Sequence, residues 1–336
     1  MTSRHSLFLL LTLPLLMSTV SANENDAEAA ALIEHSKQLS DIRAEGEPAF
    51  RLKVSFKVIQ EDGSALEGLY TEDWVSKAQW RRETVLANFK RIQVAGGRKL
   101  WLLDSAATVP EHIGDILGFS DVAKFNPKLW NSNRTVEDRE VKGSNARCVE
   151  SRDPWGRTHG ALCFDKTSGT VVAEVQPLLV PTPAERVCFY SDYQKFGDRV
   201  FARSYECDVD NHPKLQARIV ELAADPAPNP AFFAPLDGAK ESVNCLGTVK
   251  MPTPVYSPNP TAPRGAPRGS TTRVMMSIIV GTDGKPYNLR IASAPNHDFD
   301  EAALKTVRLW RFKAASCDGD PVEKQMAVET EFHLFK

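Results

Sequence analysis

Between Thr271 and Phe335 the apolar positions recur first at every second residue, then at helical spacing, then at every second residue again. Val274, Met276, Ile278 and Val280 alternate against a more mixed second face, which is the period of a half-buried strand. Residues 281–284, Gly-Thr-Asp-Gly, tolerate positive φ at a tight turn, and Tyr287 to Ala292 returns as a second strand, with Pro286 at its start where a missing N–H does least harm. Asp298 with Glu301 forms a capping-box-like helix start, and Ala303, Val307 and Trp310 fall on one helical face. After a turn at Gly319 to Pro321, Met326, Val328, Thr330, Phe332 and Leu334 alternate with Gln325, Glu329, Glu331 and His333, so one face of a last strand is buried and the other is wet. The predicted order is β-β-α-β, with the helix covering a small sheet.

Nearer the start, Glu24 to about Ala44 reads as one helix with an imperfect stripe through Ala30, Ile33 and Ile42. From Phe50 strands dominate. Residues 51–58 alternate cleanly, Glu61 to Gly63 turns the chain, and the segments Leu66 to Trp80 and Phe89 to Val94 continue the pattern. A turn at Ala95 to Gly97 leads to Lys99–Leu103, and these segments read as antiparallel neighbours. Between Pro110 and Trp130 the spacing turns helical, with Ile113, Ile116, Leu117 and Val122 on one face and Phe125 and Trp130 extending it. Glu137 and Asp138 fall in polar loop sequence. Six further segments, Ala146–Ser151, Gly160–Phe164, Val171–Val175, Arg186–Tyr190, Arg199–Tyr205 and Lys214–Leu222, read as strands that complete one large sheet.

The C-terminal pattern resembles the C-terminal domain of TonB-like proteins over about residues 245–336. The match comprises Pro254 and Tyr256, the hydrophobic strand before Asp283-Gly284, Phe299 to Leu304, Trp310-Arg311-Phe312, Gly319 to Val322, and Phe332 with Leu334. Two departures stand out: Ser257 follows the tyrosine where the family usually has proline, and no glycine immediately precedes the first strand. The resemblance implies a small sheet backed by a helix that binds a cell-envelope protein and performs no chemistry.

The compartment follows from the start of the chain. Arg4 and His5 precede an apolar run from Leu7 to Met17, and Val20-Ser21-Ala22 places small residues where a signal peptidase reads, so residues 1–22 are predicted to be a cleaved secretory signal. The competing reading is an uncleaved anchor, for which the run is short and is interrupted by Pro14. No cysteine lies near the cleavage point to carry a lipid, and the expected location is the periplasm or the exterior. In an exported chain six cysteines favour disulfides over buried thiols. Strand order suggests Cys148 with Cys163 and Cys188 with Cys207, leaving Cys245 and Cys317 to close the C-terminal domain. The entropy model gives roughly 3 kcal/mol for each short loop and about 4 kcal/mol for the long one.

At 336 residues and 42% hydrophobic content, the chain can bury two cores. Proline clusters mark the joints, with a boundary near Lys240 that separates residues 23–240 from 241–336. A net charge of −2 without a block of basic residues argues against nucleic acid.

Within residues 27–235 the pattern also resembles the LolA/LolB lipoprotein-carrier fold. The features are an N-terminal helix, a long strand at Leu52 to Val58, a strand with Trp80 and Arg81, the Gly96-Gly97 turn into Leu100 to Leu103, and an ending at Asn229 to Pro235. The cysteine-bearing stretch is no part of that pattern. The resemblance implies an α+β chain whose N-terminal half-barrel, a curved antiparallel sheet with helices, leaves an apolar cavity. Trp101, Leu103, Ile116, Leu117 and Phe125 are expected to face it, whether as plain core or as contacts to a lipid or acyl chain. Glu329, Glu331 and His333 are expected to flank a partner-docking edge, or else to keep that edge from aggregating.

Catalytic patterns are absent: there is no Gly-x-Ser-x-Gly elbow, no phosphate-cradling loop and no His-Glu-x-x-His pair, and the histidines are isolated. No cofactor or metal is expected. The sequence favours an exported, non-catalytic binding protein; the alternatives are a scaffold without a ligand and a hydrolase whose groups converge from distant strands.

Overall fold

The computed structural model describes residues 20–60, 62–106, 109–110, 113, 134–152, 158–178, 184–209, 211–225, 227–264, 271–293 and 297–333. The expected signal segment up to residue 19 lies outside them, as do Ile116, Leu117, Phe125 and most of the helical pattern between Pro110 and Trp130. A first helix, α1 (Val20–Ser40), runs across the expected cleavage point.

Strands follow in antiparallel succession: β1 (Phe50–Ile59), β2 (Ala65–Ser76), β3 (Gln79–Leu86), β4 (Phe89–Gly96) and β5 (Lys99–Asp104), then β6 (Arg134–Val141), β7 (Ser144–Arg152), β8 (Thr158–Asp165), β9 (Val171–Leu178), β10 (Ala184–Phe196), β11 (Arg199–Val209) and β12 (His212–Ala224). With β13 (Lys240–Val243) they form one thirteen-stranded sheet, ordered β13-β5-β4-β3-β2-β1-β12-β11-β10-β9-β8-β7-β6. Two meanders are thus joined where β1 pairs with β12. The reason lies in β1 itself. Phe50, Leu52, Val54, Phe56 and Val58 are all buried on one face, and such a strand needs a neighbour on each side. Each contributes roughly 1.5–3 kcal/mol by burial. That inner face also packs Ala29 and Ile33 of α1 and, from beyond β5, Ile113. Gly68 is opposite Phe56, whose ring occupies the place of a side chain: a Cβ at Gly68 would lie 2.1 Å from Phe56 Cζ.

Two expectations need correction here. Leu66 to Trp80 is two strands with a reversal at Lys77-Ala78, because the chain folds back to set Trp80 opposite Trp74. Glu137 and Asp138 lie in β6, an edge strand of the large sheet, where alternating charges leave no apolar signal.

The C-terminal part has β14 (Val249–Lys250), β15 (Thr253–Tyr256), β16 (Thr271–Val280), β17 (Pro286–Ser293), the helix α2 (His297–Val307), β18 (Arg311–Lys313), β19 (Ala315–Cys317), β20 (Asp320–Val322) and β21 (Lys324–His333). One small sheet has the order β17-β16-β21, with β14-β19-β20 and β15-β18 beside it. Phe299, Ala303 and Val307 of α2 close over Val274, Met276, Ile278, Val280, Val328 and Phe332. Trp310 joins this core from beyond the helix end rather than from its face, and its Nε1 donates to Pro258 O at 3.1 Å. Gly284, at φ +74°, is required twice over: a Cβ would lie 2.1 Å from Phe312 O, and Phe312 N donates to Gly284 O at 2.9 Å.

Three disulfides form in the pairing that strand order suggested: Cys148–Cys163, Cys188–Cys207 and Cys245–Cys317. The first two join directly opposed residues of adjacent strands. The third fastens the β13–β14 connection to β19. The segment placed at the domain joint belongs to both parts, since β13 pairs with β5 of the large sheet. Asn244 then anchors the crossing, its side-chain amide donating to Lys77 O at 3.0 Å and Gly97 O at 2.9 Å.

Candidate functional site

Strand register decides which side chains share the inner face. Leu52, Glu72 and Arg82 are successive partners across β1, β2 and β3, and Phe50, Trp74 and Trp80 form the next row. A charged pair therefore sits between apolar rows. Glu72 is fully buried, and its carboxylate accepts from Arg82 Nε at 2.9 Å, Tyr70 OH at 2.9 Å and Arg43 Nε at 3.2 Å, with Arg43 Nη2 closing the second oxygen. Arg43 comes from the turn after α1, where its backbone N–H is held by the Asp41 carboxylate at 2.9 Å. The two guanidiniums also face aromatic rings: Arg43 lies 5.7 Å from the Phe50 centroid and 5.9 Å from that of Trp74, and Arg82 lies 4.2 Å from that of Trp80.

Burial pushes the Glu72 carboxyl up, but Arg43 and Arg82 more than offset it and hold it down at about 2. Tyr70 is driven well above the usual phenol range, by burial first and by the Glu72 charge second. Along the same face Arg91 makes a two-point contact with Asp104, 2.7 Å at each bond. Tyr287 of β17 stands nearby, its hydroxyl raised by burial and by Glu323 and influenced by Arg91 and Asp104. Beyond β1, Tyr190 OH donates to Glu174 at 3.0 Å and Tyr205 OH to Cys188 Sγ at 3.2 Å. The inner face is thus apolar with a few fully engaged polar groups. Its described residues pack together as buried core.

Trp101 and Leu103 do not line it. Leu100 packs on the main core, so alternation turns Trp101 and Leu103 to the outer face, where they oppose Val94 and Ile92 of β4. Trp101 Nε1 there donates to Glu241 of β13 at 3.3 Å. The Arg43, Glu72 and Arg82 group was missed, although Glu72 falls in phase with Tyr70 and Trp74 and Arg82 in phase with Trp80.

At the other site, among the described residues β21 pairs with β16 alone and is an edge of its sheet. Glu329 and Glu331 lie across from Arg273 of β16, at 3.4 Å and 3.7 Å, so they already have an internal partner. His333 opposes Thr271 at the strand end. Among the described residues no group of three or more His, Cys, Asp or Glu side chains is placed to hold a metal, and no helix is long and apolar enough to cross a membrane.

No curated protein matches the chain. Among solved structures, a LolA superfamily protein from Nitrosomonas europaea is 9% identical and covers 61% of this chain and 96% of its own, with a TM-score of 0.39. A DUF1329 family protein from Desulfovibrio piger is 10% identical and covers 64% and 96%, also with a TM-score of 0.39. At these scores the likeness adds nothing to the account of the sheet. The family match is local: residues 263–334, which hold β16, β17, α2 and β18 to β21, match the family model of the Gram-negative bacterial TonB protein C-terminal.

Proposed function

We propose that this is an exported, non-catalytic binding protein of the cell envelope, whose C-terminal module, residues 241–336, docks an envelope protein by strand addition at β21. The observation that carries this reading is that β21, among the described residues, pairs on one side only, within a module of which residues 263–334 match the model of the TonB protein C-terminal. An extended partner segment would satisfy the backbone groups that β21 presents away from β16, beside the row formed by Glu329, Glu331 and His333. Because Arg273 already pairs with the two glutamates, the direct test exchanges the whole set: Arg273→Glu with Glu329→Lys and Glu331→Lys keeps the internal ion pairs and inverts the field along the edge. Recovery of the usual partners from an envelope extract is expected to fall sharply with this variant. Unchanged recovery would rule out docking at this edge.

A second role, carriage of an apolar ligand or acyl chain by residues 23–240, rests on the sequence resemblance of that part to a lipoprotein-carrier sheet, while the described inner-face residues pack as core. Mass spectrometry of protein purified under native conditions separates the carrier from a scaffold: a co-purifying lipid supports the carrier, and an empty protein supports the scaffold.

A further inference from the structure

The charge of this chain is not evenly spread. No acidic residue occurs between Ser242 and Thr282, and none between Ala302 and Cys317. These two stretches are brought together by pairing, β14 with β19 and β15 with β18. Register sets Tyr256 beside Arg311 and Thr253 beside Lys313. Lys250 of β14 and Arg308, just past α2, extend the basic surface. Among the described residues none of Lys250, Arg308, Arg311 and Lys313 has a carboxylate within ion-pair distance. Several exposed cations elsewhere in the same molecule are paired, as with Lys57 and Glu67 at 3.1 Å, Lys142 and Glu206 at 3.2 Å, and Arg218 and Asp192 at 2.8 Å.

The ribbon and the segments leading into its strands also expose large apolar side chains. Val255 is 68% exposed, Tyr256 57%, Leu309 56% and Met251 53%. They are held out by a rigid frame, since β15 lies between prolines at 252 and 258 and the Trp310 indole is bonded to Pro258 O. Single exposed apolar residues are ordinary, but two on this ribbon and two in the segments leading into its strands, close in sequence to cations without a carboxylate partner in a chain of net charge −2, form a patch with a definite complement.

We infer that the β15–β18 ribbon docks the protein on the surface of an anionic lipid bilayer. Lys250, Arg308, Arg311 and Lys313 meet the headgroup charge while Val255, Tyr256, Leu309 and Met251 enter the interfacial layer. Anionic headgroups supply the counter-charge that the fold withholds, and the shallow apolar layer beneath takes side chains that no part of the protein covers. Attachment of this kind needs no spanning helix. The ribbon belongs to a different sheet from the β21 edge, so docking of a protein and docking on a membrane use different strands.

Sedimentation with sucrose-loaded vesicles tests it, using phosphatidylglycerol mixed equally with phosphatidylcholine against phosphatidylcholine alone, on full chains that share one N-terminus. The wild-type protein is expected to bind the anionic vesicles and to release them near 1 M salt, where the screening length falls to about 3 Å. The triple variant Lys250→Gln, Arg308→Gln, Lys313→Gln is expected to partition about 100-fold less, at about fivefold per cation. Val255→Ser with Leu309→Ser should weaken binding without changing its salt dependence. A control triple, Lys57→Gln, Lys142→Gln, Arg218→Gln, removes the same charge from paired positions and should leave partitioning almost unchanged. All substituted side chains are exposed, and equal unfolding midpoints will confirm intact folds. Equal binding to both vesicle types, no binding to either, or an equal loss in the two triples would overturn the inference; no binding would return the patch to a protein partner.

Discussion

Replacing Glu72 by Gln would leave the Arg43 and Arg82 guanidiniums buried against a neutral amide, so Glu72→Gln is expected to cost about 3–5 kcal/mol in urea unfolding. Acid gives the same group a second signature. The folded carboxyl is held at about 2, below its ordinary value, so the unfolded chain takes up the proton first. Its stabilising share is complete above the unfolded pKa of about 4.3 and is lost as pH falls from there through the folded value. An unfolding midpoint that declines between those limits in the wild type, and less steeply in Glu72→Gln, is the expected result. A slope unaffected by the substitution would remove Glu72 from the account. This group was half legible in the sequence. Alternation places Glu72 and Arg82 in the apolar phase of their strands, and two charges in that phase on neighbouring strands call for one another. Arg43 could not be found that way, because it arrives from a turn 29 residues from Glu72 and obeys no local period.

Among the elements, the turn between β16 and β17 depends on one residue. Gly284→Ala forces a Cβ into Phe312 O from a positive φ, and the C-terminal module is expected to lose more than about 1 kcal/mol in thermal unfolding while the large sheet keeps its own transition. Removing Cys245–Cys317 by Cys245→Ser with Cys317→Ser opens a loop of 72 residues and should cost about 4 kcal/mol, against about 3 kcal/mol for the 15-residue loop closed by Cys148–Cys163. Comparable losses from the two pairs of substitutions, resolved by denaturant titration, are expected; a negligible loss from either would show that its bond constrains nothing. Two of the cysteine pairs were legible because each joins consecutive strands, β7 with β8 and β10 with β11, so neighbours could be assigned in order and the third pair was what remained. β6 was not, since an edge strand with Glu137, Asp138, Arg139 and Glu140 in succession carries no alternation. The facing of Trp101 and Leu103 was misjudged because Leu100, Trp101, Leu102 and Leu103 are apolar on both phases. In such a run only the pairing of β5 with β4 fixes which face is inner.

At the scale of the whole molecule the two parts are fastened in several ways: β13 is shared, Asn244 is bonded to two hairpins, Arg98 reaches Asp320, Lys240 reaches Glu323, and Arg290 donates to Val109 O. A module fastened in this way carries β21 in its own small sheet beside the large one, which suits a protein that docks by an edge. Photo-crosslinking from β21 in the native cell tests that claim most directly. A photoreactive residue in place of Ala327, exposed on β21, is predicted to give discrete adducts with an envelope protein, and the same residue in place of Ser55, exposed on β1 of the large sheet, to give none. Adducts from Ser55 and not from Ala327, or from neither, would contradict docking at β21.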